Sequence, residues 1–242
     1  FVNFLNVLHT TRQKVPFGIA QVGKAFRNEI IARQFIFRMR EFEQMEMQFF
    51  VKPGEQGKWF DYWKNQRLEW IRALGLPMDY FRIHEHEKLS HYAEAAIDIE
   101  FDFPFGFKEL EGVHSRTDFD LSRHQEYSGK KMQYFDPEEE DHYIPYVVET
   151  SIGLDRMVLA VLSASLKEEV VPDDEGKDSE RTVLSLPHFL APVKCAVLPL
   201  VKNKEALTDK AREVFNQLKY SFTCQYDEKD SIGRRYRRQD AI

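Results

Sequence analysis

Arg27, Arg33, Arg38 and Arg40 lie in the stretch FRNEIIARQFIFRMREFEQMEMQFF, interleaved with aromatic residues, and the stretch then turns acidic at Glu41, Glu43 and Glu46. A guanidinium fork binds phosphate oxygens bidentately and keeps its charge at biological pH. A ring such as Phe42 offers a face on which a base can stack, and a carboxylate such as Glu46 accepts from an ammonium group. Cations for phosphates and a carboxylate for an amine make chemical sense in one pocket. The same stretch also reads as a surface hairpin with charges paired across its strands, since such pairs are common in sheets.

Two other stretches carry the same kinds of residue. PYVVETSIGLDRMVLAVL puts Glu149 and Ser151 at a strand end, Gly153 at a turn and Arg156 in a first helical turn; FGFKELEGVHSRTDFDL puts Glu109, Glu111 and Arg116 in or beside a strand. The chain has no P-loop, no G-x-G-x-x-G after a strand, no G-x-S-x-G elbow and no H-E-x-x-H. A nucleotide would therefore be held by side chains on a sheet. RIHEHEKLSHY contains His84, His86 and His91, but an H-x-H pair on a strand needs further ligands placed by the fold, and zinc wants four in a tetrahedron. A structural or RNA-facing strand is the favoured reading there. GRRYRRQ, Gly233 to Gln239, reads equally as an RNA contact and as a solvated helix face.

These groups need a frame. Residues 15–30 read as a strand and 38–50 as its partner, with IARQFIF as the connecting loop. On the second strand Phe42, Gln44, Glu46 and Gln48 share one face, and Glu41, Glu43, Met45, Met47 and Phe49 the other. EQGKWFDYWKNQRLEWIRALGL has helical spacing, with Trp59, Trp63 and Trp70 toward the core and Gly75 as a stop. YFRIHEH reads as a strand, EKLSHYAEAA as a short helix, and AIDIEFDFPFGFKELEGVHSRTDFDL as two strands turning at Pro104 and Gly106. HYIPYVVETSIGLDRMVLAVLSASL is a strand running into a helix, joined at Ser151 to Asp155. KEEVVPDDEGKDSERTVLSL shows no periodicity and reads as a loop or linker. After it, VKCAVLPLV, KEALTDKAREVFNQLKY, SFTCQYD and SIGRRYRRQDAI follow a β-α-β-α order, the opening of an α/β layer.

At 242 residues and 43% hydrophobic, the chain is long enough for one large domain or one with a smaller companion. A formal charge of −6 excludes a general polyanion binder, so any nucleic-acid contact must come from a local basic patch. Two cysteines, Cys195 and Cys224, stand far apart in no C-x-x-C pair, which fits a reducing compartment, the cytoplasm, and argues against a disulfide scaffold. No apolar run approaches the roughly 20 residues of a membrane span, so no membrane partner is expected. The chain starts at Phe1 without an initiator Met and reads as part of a longer protein.

F-R-N-E, then a loop and R-E-F, resembles motif 2 of the class II aminoacyl-tRNA synthetases, and G-L-D-R at a strand–helix junction resembles their motif 3. The finer resemblance is to the bacterial dimeric-type glycyl-tRNA synthetases, in TTRQKVPFGIAQVGKAFRNEI, REFEQMEMQFF, ELEGVHSRTDFDL and VVETSIGLDR, and it runs over nearly the whole chain. It implies an α+β fold: the class II antiparallel sheet flanked by helices over residues 1–165, a linker over 166–190, and a partial α/β anticodon-binding domain over 191–242. It implies a glycine–tRNA ligase, which activates glycine with ATP and Mg²⁺ and transfers it to tRNA(Gly), and a homodimer whose motif 1 lies upstream of Phe1. The rival reading is a synthetase-like paralogue without chemistry, acting as a tRNA- or partner-binding module. Such proteins usually lose a motif arginine or a pocket carboxylate, and Arg27, Arg156, Glu46, Glu149 and Ser151 all stand here. A serine or threonine enzyme is a second rival; the threonine type needs a zinc site of cysteine and histidine that these residues do not assemble.

The resemblance also implies roles. Arg27 and Arg156 are the catalytic residues, Arg27 on the α-phosphate and Arg156 against adenine and the γ-phosphate. ATP contacts extend to Asn28, Glu29, Phe37, Arg38, Met39, Arg40, Glu41, Phe42, Glu109, Leu110, Gly153, Leu154 and Asp155, with Phe42 stacking on adenine and Glu109 as the Mg²⁺ ligand. Phe42, Glu46, Arg116, Glu149, Ser151 and Gly153 form the glycine pocket. Thr150 departs from the Pro that often follows that glutamate, and Phe35 and Ile36 are larger or less polar than many relatives have in the motif 2 loop.

Overall fold

The structure, a computed structural model, describes residues 1–172 and 177–241. These form two compact units, one of Phe1–Ala73 with Pro77–Ala160 and one of Leu74–Leu76 with the chain from Val161 onward.

The first unit begins with helix α1 (Phe4–Thr11), then strand β1 (Phe17–Phe26), a 3₁₀ turn at Phe35–Phe37 and strand β2 (Glu41–Val51). Helix α2 (Gln56–Ala73) leads to β3 (Phe81–Glu85), β4 (Ala95–Phe103) and β5 (Gly106–Thr117). Helix α3 (Phe119–Ser128), the short strands β6 (Tyr134–Asp136) and β7 (Asp141–Tyr143), strand β8 (Tyr146–Gly153) and helix α4 (Leu154–Ser165), of which the first unit holds Leu154–Ala160, follow. One six-stranded sheet runs β1-β2-β8-β5-β4-β3, every neighbour antiparallel. This is the mixed α+β class with the antiparallel sheet expected from the sequence. β8 is the decisive strand: it comes last yet lies between β2 and β5, so residues distant in sequence become cross-strand neighbours.

Alternation decides what each face does. On the back, Ile97, Ile99 and Val113 pack under Phe60 and Ile71 of α2, and Phe49, Val51 and Val148 under Trp59 and Trp63. On the front, Phe17, Phe50 and Val147 are covered by Phe4 of α1 and Leu121 of α3. That cover reaches only one end of the strands. The β4–β5 turn needs Gly106, whose φ of +91° strains any residue with a Cβ.

The structure corrects two readings. EKLSHYAEAA is not a helix: a single turn closes from Ala93 N–H to Ser90 O, and Ala95 onward is drawn into β4 against Ser115. Pairing with β5 overrides a weak helical preference. Nor is the stretch read as a loop or linker without regular structure: it holds two strands. β9 (Leu166–Pro172) and β10 (Asp178–Leu184) pair antiparallel, with Arg181 opposite Glu169 and salt-bridged to it. Charges on both strands hide the alternation that the backbone adopts; residues 173–176 of that reading lie outside the described residues. Helices α1 and α3 and the β6–β7 pair are further elements that the sequence reading did not assign.

In the second unit β11 (Cys195–Val197), α5 (Glu205–Leu218), β12 (Cys224–Tyr226) and α6 (Ile232–Asp240) follow the expected order, and β11 pairs parallel with β12. The basic run on α6 is partly structural. Arg235 is buried and donates to the backbone oxygens of Pro199, Lys229 and Asp230, while Arg238 pairs with Asp227 at 2.6 Å and Asp230 at 2.8 Å. No helix among the described residues is long and apolar enough to cross a membrane.

Candidate active site

Where the α1 and α3 cover ends, the front of the sheet opens into a cavity of about 540 Å³. Strand register arranges its floor in rows. Gln44 lies opposite Gly153; Glu46 opposite Ser151, which faces Gly112; Gln48 opposite Glu149, which faces His114. The face predicted for β2, with Phe42, Gln44, Glu46 and Gln48, is the face that lines the cavity.

The last of these rows is charged. Glu149 accepts from Gln48 Nε2 at 2.7 Å and from Arg116 Nη1 at 3.2 Å. Arg116 also grips Asp120 through Nε at 2.7 Å and Nη2 at 3.0 Å, and lies 4.2 Å over the Tyr92 ring. Burial pushes Glu149 up, but His114, Arg116 and Gln48 outweigh it and hold the carboxyl below its ordinary range. His114 Nδ1 lies 3.6 Å from Glu149, longer than a hydrogen bond, so Arg116 and Gln48 exert the stronger pull. Glu46 has the opposite environment. Its one side-chain bond is a long one from Ser151 Oγ at 3.4 Å, and burial, then the nearby Glu149 charge, raise its carboxyl above the usual range. Gln44 Nε2 donates to Ser151 at 3.1 Å and fixes that hydroxyl.

Toward the other end lie the cations. Arg27 follows β1, its guanidinium carbon 5.2 Å from the Phe42 ring centre. Arg38 lines the cavity, pairs with Glu29 at 3.0 Å and keeps a buried Nε–H without a hydrogen-bond partner among the described residues. Arg156 lies 4.2 Å over Phe37 and donates to Phe37 O at 3.2 Å, Glu109 O at 2.8 Å and Glu109 Oε2 at 3.3 Å. It thereby ties the loop after β1 to β5. Glu43 N–H donates to Asp155 Oδ2 at 2.9 Å, which joins β2 to the start of α4.

A bulge places Glu109. β5 shifts register against β4 so that Glu111 faces Ile99 and Glu109 faces Glu100, with Leu110 the extra residue. Glu109 and Leu110 both line the cavity, and Glu111 goes to the back, buried and salt-bridged to Arg67 of α2. Of the residues picked from the sequence, Met39, Glu29, Phe37 and Gly153 also line the cavity, whereas Asn28, Arg40, Glu41 and Leu154 do not. Glu41 points to the opposite face of β2 and pairs with Lys24; Arg40 donates to the backbone oxygens of Glu29 at 2.9 Å and Ile30 at 3.3 Å, bracing the loop.

The cavity also holds residues that the sequence reading did not assign to the nucleotide or glycine site. Gln44 and Gln48 follow from the parity of β2. The β3–β4 register sets His84 opposite Asp98, and His86, just past β3, reaches the same carboxylate, its Nε2 2.9 Å from Asp98 Oδ2. Burial raises the Asp98 carboxyl despite that contact. At Gly112 a Cβ would lie 2.5 Å from His114 Cε1, so the imidazole rests on bare backbone. His91 packs against Tyr92 and Phe119, away from the His84–His86 contact, and no group of three or more His, Cys, Asp or Glu suited to a metal occurs among the described residues.

Comparison with known proteins agrees with this geometry. Residues 3–165 match the tRNA synthetase class II core domain (G, H, P, S and T), and residues 194–242 match an anticodon binding domain. The chain is 53% identical over its whole length to a protein of Treponema denticola named glycine–tRNA ligase, covering 54% of it, and 55% identical to one of the same name from Chlorobaculum tepidum, covering 50%. A Geobacillus thermodenitrificans protein of that name is 52% identical, with 51% covered. The chain thus spans about half the length of the curated relatives it matches. An antiparallel sheet bearing these motifs and a matching domain profile over most of its length assign the chain to the class II tRNA synthetase core-domain family.

Proposed function

We propose that this chain carries the catalytic core and part of the anticodon-binding domain of a glycine–tRNA ligase. The observation that carries the reading is one cavity with two chemistries. Glu46, Glu149, Ser151 and Arg116 converge on rows set by β2, β8 and β5, and Arg27, Arg38, Phe42 and Arg156 line the same space. In this reading ATP stacks on Phe42 with its phosphates toward Arg27 and Arg38. The glycine carboxylate, ionised at neutral pH, attacks the α-phosphorus, and pyrophosphate leaves. No general base is needed, so the side chains work by position and charge. Arg27 would meet the charge that builds on the α-phosphate. The tRNA terminal hydroxyl then attacks the adenylate carbonyl, and AMP leaves.

Glu109 suits a magnesium ion that arrives with the phosphates, because it lines the cavity with its side chain 54% exposed and Mg²⁺ is commonly held by one or two carboxylates plus substrate oxygens. Such an ion would neutralise phosphate charge. The full-length protein would act on tRNA(Gly) and as a homodimer, by its likeness to the dimeric type. ATP–pyrophosphate exchange by the full-length protein, run with each proteinogenic amino acid, tests the reading. Exchange should need glycine. Equal exchange with alanine or serine would refute the substrate, and none with any amino acid would favour the inactive paralogue.

A further inference from the structure

Cys195 and Cys224 read as unrelated in the sequence, yet the parallel pairing of β11 and β12 sets them directly opposite each other. Neighbouring strands lie about 4.8 Å apart, inside the roughly 4.4–6.8 Å between Cα atoms that a disulfide spans. Both thiols are free and half-buried. Cys195 also lines a cavity of about 930 Å³, with Gln225 and Arg238.

We propose that Cys195 and Cys224 are a dithiol modification site that closes reversibly to an intramolecular disulfide when the protein meets a peroxide. The Cys195 sulfur, as thiolate, attacks one peroxide oxygen and breaks the O–O bond, giving a sulfenic acid and hydroxide, which takes up the thiol proton as water. The Cys224 sulfur then attacks the sulfenic sulfur. The S–O bond breaks, the second water leaves with the Cys224 proton, and the S–S bond forms. Two electrons pass from the sulfur pair to the peroxide. Partial burial, then the adjacent Cys195 thiol, push the Cys224 thiol up and leave it less of the thiolate form that would meet peroxide first. The bond would tie β11 to β12 across α5 and so close the β-α-β unit. This inference does not depend on the proposed ligase activity.

The test uses the 242-residue chain, whose sequence holds two cysteines, so an internal disulfide has one possible pairing. The reduced chain is treated in dilute solution with hydrogen peroxide, blocked with N-ethylmaleimide, digested without reduction and read by mass spectrometry. The expected product is a monomer in which both alkylation sites vanish together and one peptide pair is joined through Cys195 and Cys224. Dithiothreitol should restore both sites, and Cys195→Ser or Cys224→Ser should abolish the link. Amide exchange over residues 195–197 and 224–226 should slow severalfold in the oxidised chain and stay unchanged in treated Cys224→Ser. Retention of both thiols, oxidation of one to a sulfinic acid, or a link only between chains would overturn the proposal. So would unchanged amide exchange in the linked chain, because the bond would then not belong to the native strand pair.

Discussion

Glu46→Gln tests which carboxylate takes the substrate ammonium. Glu149 is already compensated by Arg116 at 3.2 Å and Gln48 at 2.7 Å, whereas Glu46 has one long bond from Ser151 at 3.4 Å. An arriving ammonium therefore gains most from Glu46. A hydrogen bond to a charged group contributes about 1.5–3 kcal/mol. At about 1.4 kcal/mol per decade, Glu46→Gln should raise the glycine KM by about 10- to 150-fold. ATP KM should stay within about threefold and kcat should change less than the glycine KM, as expected when binding common to ground and transition states is lost. The pH dependence has a sign. Glu46 must be ionised to accept, and its carboxyl is raised by burial and by Glu149. In the wild type, kcat/KM for glycine should fall as pH drops through that raised value, and Glu46→Gln should lose this acid limb. Stability runs the other way. Between the ordinary value of 4.5 and the raised one the folded state binds more protons than the unfolded state, so this group's contribution falls as pH rises through that window. Glu46→Gln should then have a Tm at neutral pH equal to or above the wild type. Steady-state exchange with glycine and ATP varied separately decides the matter. An unchanged glycine KM with a raised ATP KM would refute the assignment.

Three further outcomes follow from the geometry. Arg27→Ala and Arg156→Ala should each slow adenylate formation by about 10²–10³, the usual cost of losing a transition-state charge contact; near-normal pyrophosphate exchange in either would remove its proposed role. Gly112→Ala puts a Cβ 2.5 Å from His114 Cε1, so the imidazole must swing away. Urea unfolding should show a loss of about 1–3 kcal/mol, typical of overpacking, and adding His114→Ala should recover most of it; a neutral Gly112→Ala would refute the crowding. Arg67→Met strips the partner from Glu111, which is 1% exposed, and should cost about 3–5 kcal/mol by the same assay. Adding Glu111→Leu should restore stability, and no loss in the single variant would refute a buried ion pair.

Much of the frame was legible because it rests on short-range periodicity. The alternation of β2 gave the cavity face, and the strand–turn–helix at Glu149 to Arg156 gave the end of β8 and the start of α4. What stayed hidden depends on pairing between distant segments. Nothing local says that β8 inserts between β2 and β5, so the rows Glu46–Ser151–Gly112 and Gln48–Glu149–His114 could not be read off. The extra residue at Leu110 reverses the parity of β5, so the neighbouring glutamates part, Glu109 to the front and Glu111 to the back. The β9–β10 hairpin escaped because charges occupy both its strands. The thiol pair escaped because two short parallel strands meet across a helix.

Those rows bear on how a site would select the smallest amino acid. A missing side chain offers nothing to attract, so selection must come from leaving no room for one. The floor beside Glu46 and Ser151 is Gly112, and the space its Cβ would take is filled by the His114 ring. Gly112 is held in the ladder between β4 and β8, and His114 lies 3.6 Å from Glu149, which Gln48 and Arg116 fix from two sides. Arg116 in turn has five N–H donors, of which three are committed to Asp120 and Glu149. Two remain, one on Nη1 and one on Nη2, and in the proposed pocket they would be the donors to a substrate carboxylate. In the proposed pocket both charged ends of glycine would therefore be met by groups braced on sheet strands. The space between them is bounded by a backbone without a side chain and by a ring that rests on it.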